Sequence, residues 1–267
     1  MEHLPNWAMP AHVKVATWNI NSVRARVDRL LEYLRASAPD VLCLQETKCT
    51  DDQFPLLELE ALGYRATLFG QKSYNGVALL AREPVAEVAR NLGDGDEQAR
   101  VIAATVRGVR VVGLYAPNGQ SLESEAYAYK LEWYARLTRW LTPWAAGPLL
   151  VCGDFNVAPA GLDTWDPRLW EGQVLCSPRE RAALQALLEA HRLTDLLRFK
   201  HPGQAGLFTW WDYRASAFKK NQGLRIDHLL VDAGLAARCQ SIGVARAARE
   251  GKLPSDHAPV EAVFADG

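Results

Sequence analysis

Several short polar motifs in this chain carry residues suited to holding a metal ion or moving a proton, and each adjoins an apolar run. Residues 13–18 lead into Asn19-Ile20-Asn21, residues 41–44 into Gln45-Glu46, and residues 111–114 into Tyr115-Ala116-Pro117-Asn118-Gly119. Residues 149–152 lead into Gly153-Asp154-Phe155-Asn156, residues 224–226 into Asp227-His228, and Ser255-Asp256-His257 stands just before the run that starts at Val260. Strand ends are where α/β folds gather ligand groups. If these ends meet, Glu46, Asp154, Asp227 and Asp256 bring four carboxylates into one cleft. Carboxylates that close cannot all ionise without compensation. A hard divalent cation is the usual compensation, and oxygen donors from Asp, Glu and Asn suit Mg²⁺ or Mn²⁺ better than zinc. His257, beside Asp256, adds a ring that can position a phosphate or move a proton near neutral pH. A metal site, an activated water, and Asn and His donors together make a set for phosphodiester hydrolysis.

Each motif alone has a plainer reading. Gly-Asp-x-Asn after a strand is commonly a turn, Gln-Glu commonly lies on the surface, and Ser-Asp-His commonly caps a loop or helix. Tyr115 reads equally as a half-buried strand residue, and the aromatic stretch 208–213 as strand packing. Their co-occurrence, in this order and all at strand ends, is what favours chemistry.

The elements that must position these groups follow from apolar periodicity. Strands are expected over residues 13–18, 41–44, 76–81, 100–106, 109–115, 149–152, 208–213, 226–231, 241–245 and 260–264. Helices are expected over 24–36, with Val27, Leu30, Leu31 and Leu34 on one face, and over 51–62, 124–141 and 178–190. Pro143 breaks the third, and Pro178 sits at the first turn of the fourth. Many neighbouring strands have connections too short for a parallel crossover, so each sheet must be at least partly antiparallel. Helices and sheets together predict a layered α/β body.

Composition sets outer limits. The chain has 267 residues, 49% hydrophobic, enough for a substantial core, and no linker-like segment divides it. The reading is a short N-terminal extension over residues 1–12 followed by one catalytic domain over 13–267. No apolar run approaches the roughly 20 residues needed to cross a bilayer. The first residues lack the basic and apolar pattern of a targeting peptide. The five cysteines show no paired spacing, which fits a reducing compartment. A cytoplasmic, monomeric protein with no membrane partner is the default expectation. The formal net charge is −1, which counts against a nonspecific nucleic-acid coat but leaves room for a local basic rim. Arg214, Lys219, Lys220 and Arg225 are candidates for such a rim, or for a solvated loop.

The chain resembles the exonuclease III family of apurinic/apyrimidinic (AP) endonucleases, within the endonuclease/exonuclease/phosphatase superfamily. The resemblance spans about residues 13–264. It rests on Trp18-Asn19-Ile20-Asn21 with Arg24-Ala25-Arg26, Leu44-Gln45-Glu46-Thr47-Lys48, Gly76-Val77-Ala78-Leu79-Leu80 and Tyr115-Ala116-Pro117-Asn118-Gly119. It continues through Gly153-Asp154-Phe155-Asn156, Phe208-Thr209-Trp210-Trp211-Asp212-Tyr213-Arg214, Gly223-Leu224-Arg225-Ile226-Asp227 and Pro254-Ser255-Asp256-His257.

The resemblance implies a four-layer α/β sandwich: two packed mixed sheets flanked by helices, with the site at one end. It implies a Mg²⁺-dependent enzyme, Mn²⁺ being a possible substitute, that acts on double-stranded DNA. Cleavage 5′ to abasic sites and 3′→5′ exonuclease or 3′-end cleaning are the implied activities. Glu46 resembles a principal metal ligand, helped by Asn19 and Asp256. Asp154 resembles the residue that orients or deprotonates water, with Asn156 beside it, and the two together resemble ligands of a second ion. Asp227 and His257 resemble a carboxylate–imidazole pair whose ring meets a phosphate oxygen, and His257 also stands among the candidate ligands. Tyr115 and Asn118 resemble phosphate or leaving-group contacts. Trp210, Leu224 and Ile226 match a pocket for a base-free sugar, and a tight apolar wall there would exclude a nucleotide that keeps its base. Arg24, Arg100, Lys130 and Arg214 are candidate backbone contacts, which position a duplex without reading sequence. Some relatives carry a lysine a few residues before Lys130, where this chain has Ala126 and Tyr127, and a tryptophan where it has Leu224.

Two other readings compete. A phosphatase for small or lipid phosphoesters shares the Glu, Asp-x-Asn and Asp-His elements, but lacks the Trp-Trp-Asp-Tyr-Arg and Gly-Leu-Arg-Ile-Asp segments. A non-catalytic DNA-binding protein would have lost a metal or nucleophile residue, and none is missing.

Overall fold

The computed structural model describes residues 12–266. The expected N-terminal extension therefore lies outside the described residues, except His12, which begins the first strand. In chain order the strands are β1 (His12–Asn19), β2 (Val41–Gln45), β3 (Arg65–Phe69), β4 (Val77–Ala81), β5 (Ala86–Arg90), β6 (Val101–Val106), β7 (Val109–Tyr115), β8 (Leu149–Asp154), β9 (Thr194–Asp195), β10 (Asp227–Val231), β11 (Cys239–Val244) and β12 (Val260–Ala265). The helices are α1 (Val27–Ser37), α2 (Leu56–Glu60), α3 (Glu125–Leu141), α4 (Pro167–Trp170), α5 (Pro178–His191), α6 (Leu196–Lys200) and α7 (Ala233–Arg238).

The strands form two six-stranded sheets, ordered β11-β12-β1-β2-β4-β3 and β5-β6-β7-β8-β10-β9. Each is mixed: β1 and β2 run parallel in the first, β7 and β8 in the second, and the remaining pairs are antiparallel. Alternate residues of each strand face opposite layers. Val41, Cys43, Val77 and Leu79 of the first sheet pack inward with Ile102, Val111, Leu150 and Cys152 of the second. Leu42, Leu44, Ala78 and Leu80 face outward onto Leu30, Tyr33 and Leu34 of α1. Val112, Leu114 and Val151 face outward onto Trp133, Tyr134 and Leu137 of α3 and Leu184 and Leu187 of α5. The result is the expected four-layer α/β/β/α sandwich. Because both faces are covered, these strands read as continuous apolar runs rather than alternating ones. Each fully buried Leu or Val contributes about 1.5–3 kcal/mol.

Local chemistry sets the helix starts. Ser124 caps α3 by accepting from the Tyr127 amide, and Ser177 caps α5 in a reciprocal box with Glu180. Several expected boundaries shift. The first helix begins at Val27 rather than residue 24, since residues 24–26 form a turn. Residues 51–62 hold two short helical pieces, because Pro55 interrupts them. Residues 208–213 are not a strand. They make only single bridges, from Trp210 to Leu224 and to His257, and Asp212 then closes a turn by accepting from the Arg214 amide at 2.8 Å. The short strands β3, β5 and β9 were not expected, because charged or polar residues interrupt each of them and none carries a continuous apolar run.

One edge of the sandwich collects the polar motifs. β1, β2, β7 and β8 end there, whereas β4, β10 and β12 begin there. Asp227 thus opens its strand instead of following it. At a single edge of an antiparallel pair, one strand must start where its neighbour stops.

Candidate active site

Tyr115, Asp154 and Asp227 stand in one row across β7, β8 and β10. Side chains in one row leave the sheet on the same face. Here that face meets the first sheet, because Asp154 Oδ2 accepts from Asn19 Nδ2 at 2.9 Å. The same Asn19 amide donates to Glu46 Oε1 at 2.8 Å. Asn19 therefore bridges a carboxylate from each sheet. Within the second sheet, Gly153 permits the close β7–β8 pairing: its φ is +146°, and a Cβ would stand 1.9 Å from the Leu114 carbonyl oxygen of β7. Glu46, just past β2, has a φ of 52°. A non-glycine residue held there costs on the order of 1–3 kcal/mol, a strain common at functional sites.

His257 completes the cluster. Its Nδ1 lies 2.8 Å from Asp227 Oδ2. A carboxylate only accepts, so Nδ1 carries the proton and Nε2 faces Asp154 Oδ2 at 3.7 Å. Burial alone would lower the His257 pKa, but the charges of Asp227 and Asp154 outweigh it and raise it to about 10. Burial, aided by Asp227 and Glu46, pushes Asp154 up to about 7 against the opposing charge of His257 and the Asn19 hydrogen bond. The second Asp227 oxygen, Oδ1, is buried without a hydrogen-bond partner.

Among the described residues, Glu46, Asp154 and His257 offer ligand atoms that all lie within 4.8 Å of one another. Glu46 and Asp154 supply carboxylate oxygens and no cysteine is among them, while His257, its pKa raised and its Nδ1 held by Asp227, faces them as a hydrogen-bond donor rather than a ligand. The two carboxylates fit a hard divalent cation. Asp256, expected as a ligand beside Glu46, is turned elsewhere. Its oxygens accept from Asn21 Nδ2 at 2.9 Å and Trp210 Nε1 at 3.0 Å. Burial works to raise its pKa, but His257, Trp210 and Asn21 hold it below the usual range. The Asn156 side chain is likewise engaged away from the cluster, donating to the Ala116 carbonyl and accepting from Asn118. Its backbone amide donates to Asp154 Oδ1 at 2.9 Å.

Two site residues had no role in the sequence reading. Lys48 Nζ contacts Glu46 Oε2 at 2.7 Å and Asn21 Oδ1 at 2.6 Å. Asn21 in turn reaches Asp256. Both sit inside motifs that the sequence singled out, and their proximity to Asn19 and Glu46 was the available signal.

The substrate-contact candidates divide. Arg24, Asn118 and Arg214 are exposed at the edge. Arg100 is buried, its donors held by Gln98 and the Tyr115 carbonyl, and its guanidinium stacks on the Tyr115 ring at 5.1 Å. It braces Tyr115 rather than reaching out. Lys130 is also misplaced as a surface contact, since it is fully buried against Glu180. Trp210 is half-buried and packs with Leu224 and Ile226 beside the cluster. Leu224 itself is fully covered and backs that wall from behind. A groove of about 460 Å³ opens on the other side, lined by Tyr74, Asn75, Arg100, Tyr115, Asn118 and Tyr129.

Arg225 corrects the expected basic rim. It is buried, with Nε on Asp163 at 2.7 Å and Nη2 near Asp195 at 2.8 Å. Arg198 joins Asp163, and Arg225 Nη1 donates to His228 Nδ1 at 2.9 Å. His228 Nε2–H therefore donates to the Val157 carbonyl, at 2.9 Å.

The family model described as endonuclease/exonuclease/phosphatase matches residues 16–257. The chain is 37% identical over 267 residues to exodeoxyribonuclease III of Haemophilus influenzae, covering 94% of this chain and 100% of that one. Among solved structures, a 3′ phosphatase from Neisseria, bound to product DNA hairpin, superposes with a TM-score of 0.92 at 42% identity, covering 94% and 99% of the two chains. An AP endonuclease from Archaeoglobus fulgidus gives a TM-score of 0.90 at 35% identity, with 94% and 99% covered.

Proposed function

The chain belongs to the endonuclease/exonuclease/phosphatase family, and from that premise we propose that it is a Mg²⁺-dependent DNA phosphodiesterase of base-excision repair. It incises 5′ to abasic sites and removes blocking groups or nucleotides from 3′ ends. The observation that carries this reading is the cluster of half-buried Glu46 with buried Asp154 and Asp227 around His257, beside Trp210.

Glu46, oriented by Asn19 and Lys48, and Asp154 would hold the cation. When bound, the cation supplies Lewis-acid charge at a phosphoryl oxygen and acidifies water. Asp154 orients the attacking water and takes its proton. Water attacks phosphorus, the bond to the 3′ oxygen breaks with its electron pair going to that oxygen, and solvent water protonates it, so that a 3′ hydroxyl and a 5′ phosphate remain. His257, fixed by Asp227 and carrying both ring protons, donates from Nε2 to a nonbridging oxygen where charge grows. Tyr115 and Asn118 flank the scissile phosphate. Arg24 and Arg214, both exposed at the edge, would meet the DNA backbone, Arg214 from its pairing with Asp212. Trp210, with Leu224 and Ile226 behind it, forms a wall that fits a sugar without a base.

Activity at 3′ termini has separate support, since the 42% identical neighbour is a 3′ phosphatase. A monomer acting in the cytoplasm fits this reading, and no helix among the described residues is long and apolar enough to cross a membrane. The test uses end-labelled duplexes carrying an abasic analogue, a 3′ phosphate or no lesion, each with Mg²⁺ and with EDTA. Lesion-dependent incision abolished by EDTA is the expected result. Removal of the 3′ phosphate alone would narrow the activity to 3′-end processing. Cleavage of none of them would overturn the proposal and favour a small phosphoester.

A further inference from the structure

The buried ion pair between Lys130 of α3 and Glu180 of α5 lies outside the acidic cluster, yet every one of its bonds ends on a segment that shapes the site. Both side chains are 0% exposed. A lysine ammonium has three protons and accepts nothing. Here the three go to the Asn118 carbonyl at 3.0 Å, the Asn156 carbonyl at 2.7 Å and Glu180 Oε1. No proton is left for a DNA phosphate.

Glu180 is equally committed. Its Oε1 also accepts from the Leu175 amide at 3.0 Å, and its Oε2 accepts from the Ser177 amide at 3.1 Å and the Ser177 hydroxyl at 2.5 Å. The Ser177 hydroxyl also meets the Tyr127 hydroxyl at 2.6 Å. Leu175, with a φ of 74°, packs with Leu224, Ile226 and Trp210. One arm of the pair therefore holds the segments of Asn118 and Asn156, and the other holds a residue of the apolar wall. Asn156 links the first arm to Asp154, because its amide donates to Asp154 Oδ1.

We propose that Lys130 and Glu180 act as a positioning clamp, which sets the Asn118 and Asn156 segments and, through them, the direction of the Asp154 carboxylate. Neither residue touches substrate. A buried ion pair is weak support for stability, because desolvation offsets much of its attraction. A pair of apolar residues of similar volume would fill the space, but would leave two loop carbonyls without a donor. The clamp is thus suited to geometry more than to stability.

This inference rests on the phosphodiesterase reading, so its test has one arm that needs no activity. Lys130→Met and the double variant Lys130→Met/Glu180→Met are compared with the unaltered protein. The double variant removes the uncompensated carboxylate and guards against loss of folding. In both, kcat on the cleaved duplex should fall on the order of 10-fold or more, KM should stay within about threefold, and the salt dependence of DNA binding should not change. Amide hydrogen exchange should quicken in residues 116–119 and 154–158, while the strand core at 149–153 stays protected. Unaltered exchange in those loops overturns the clamp, whether or not the protein cleaves DNA. A salt slope reduced by about 1 with kcat intact would make Lys130 a phosphate contact and would likewise overturn it. Absence of DNA cleavage by the unaltered protein would defeat the phosphodiesterase reading alone, and the exchange arm would still decide the clamp.

Discussion

Two clusters near the same edge use buried aspartates to opposite ends. Around Asp163 and Asp195, two carboxylates meet two guanidiniums, Arg198 and Arg225. Burial works to raise both acids, but Arg225 above all outweighs it and holds them below their ordinary range. Around Asp154, Glu46 and Asp227 crowd a third carboxylate and only Lys48 and His257 answer them. There burial wins, Asp154 rises to about 7, and an Asp227 oxygen has no partner. A cluster whose charges balance internally holds structure together. A cluster with unanswered negative charge is arranged for a partner from outside, and that difference locates the site better than any count of acids.

The largest effect expected from this contrast is structural. Arg225→Met would leave Asp163 and Asp195 buried with too little compensation, a change that costs about 3–5 kcal/mol when one partner of such a pair is lost. Urea unfolding measures it, and a loss near zero would erase the distinction between the clusters. In the acidic cluster the same kind of neutralisation should act the other way. Asp154→Asn should lower the cleavage rate on the order of 10²-fold or more, yet raise the metal-free melting temperature. The folded pKa of Asp154 lies above the ordinary aspartate value of 3.8, so its ionisation weighs against the fold as pH climbs through about 7. A variant that is inactive and also less stable at neutral pH would contradict this account.

Divalent metal sharpens the comparison further. Mg²⁺ at about 100 times its Kd should stabilise the protein by about 2.7 kcal/mol. Glu46→Gln should shrink that gain, and Arg225→Met should keep it, both read by thermal melts with and without EDTA. His257 gives a smaller, pH-graded effect. Its folded pKa of about 10 exceeds the ordinary histidine value of 6.5, so its contribution is complete below 6.5 and fades as pH rises through about 10. The stability gap between the protein and His257→Gln should close over that window in the metal-free state. Arg214→Ala should matter least. Its side chain is 88% exposed and paired with Asp212, so turnover at low salt should hardly change, while the slope of log affinity on log salt should fall by about 1 if it meets a phosphate.

Much of the site was legible because its residues adjoin apolar runs. Asn19, Glu46, Tyr115 and Asp154 lie at or just beyond the ends of β1, β2, β7 and β8, and strand ends are visible as the points where aliphatic residues stop. The four-layer architecture followed from motifs that reach across the chain. What misled was the long cations. Lys130 and Arg225 look like surface residues in a one-dimensional pattern, because the partners that let them be buried lie 50 and 62 positions away. Residues 208–213 read as a strand for a related reason: their aromatic character fits a strand, but only the turn at Asp212 shows that the pairing stops.

By itself, the amino-acid sequence determined which groups could do the chemistry and the order in which strands would deliver them, since both depend on local residue type and hydrophobic period. The tertiary structure decided the charge state of those groups. Whether a carboxylate is pushed up or held down depends on which cations share its burial, and the contacts that fix this join residues far apart in the chain through space that no local pattern records.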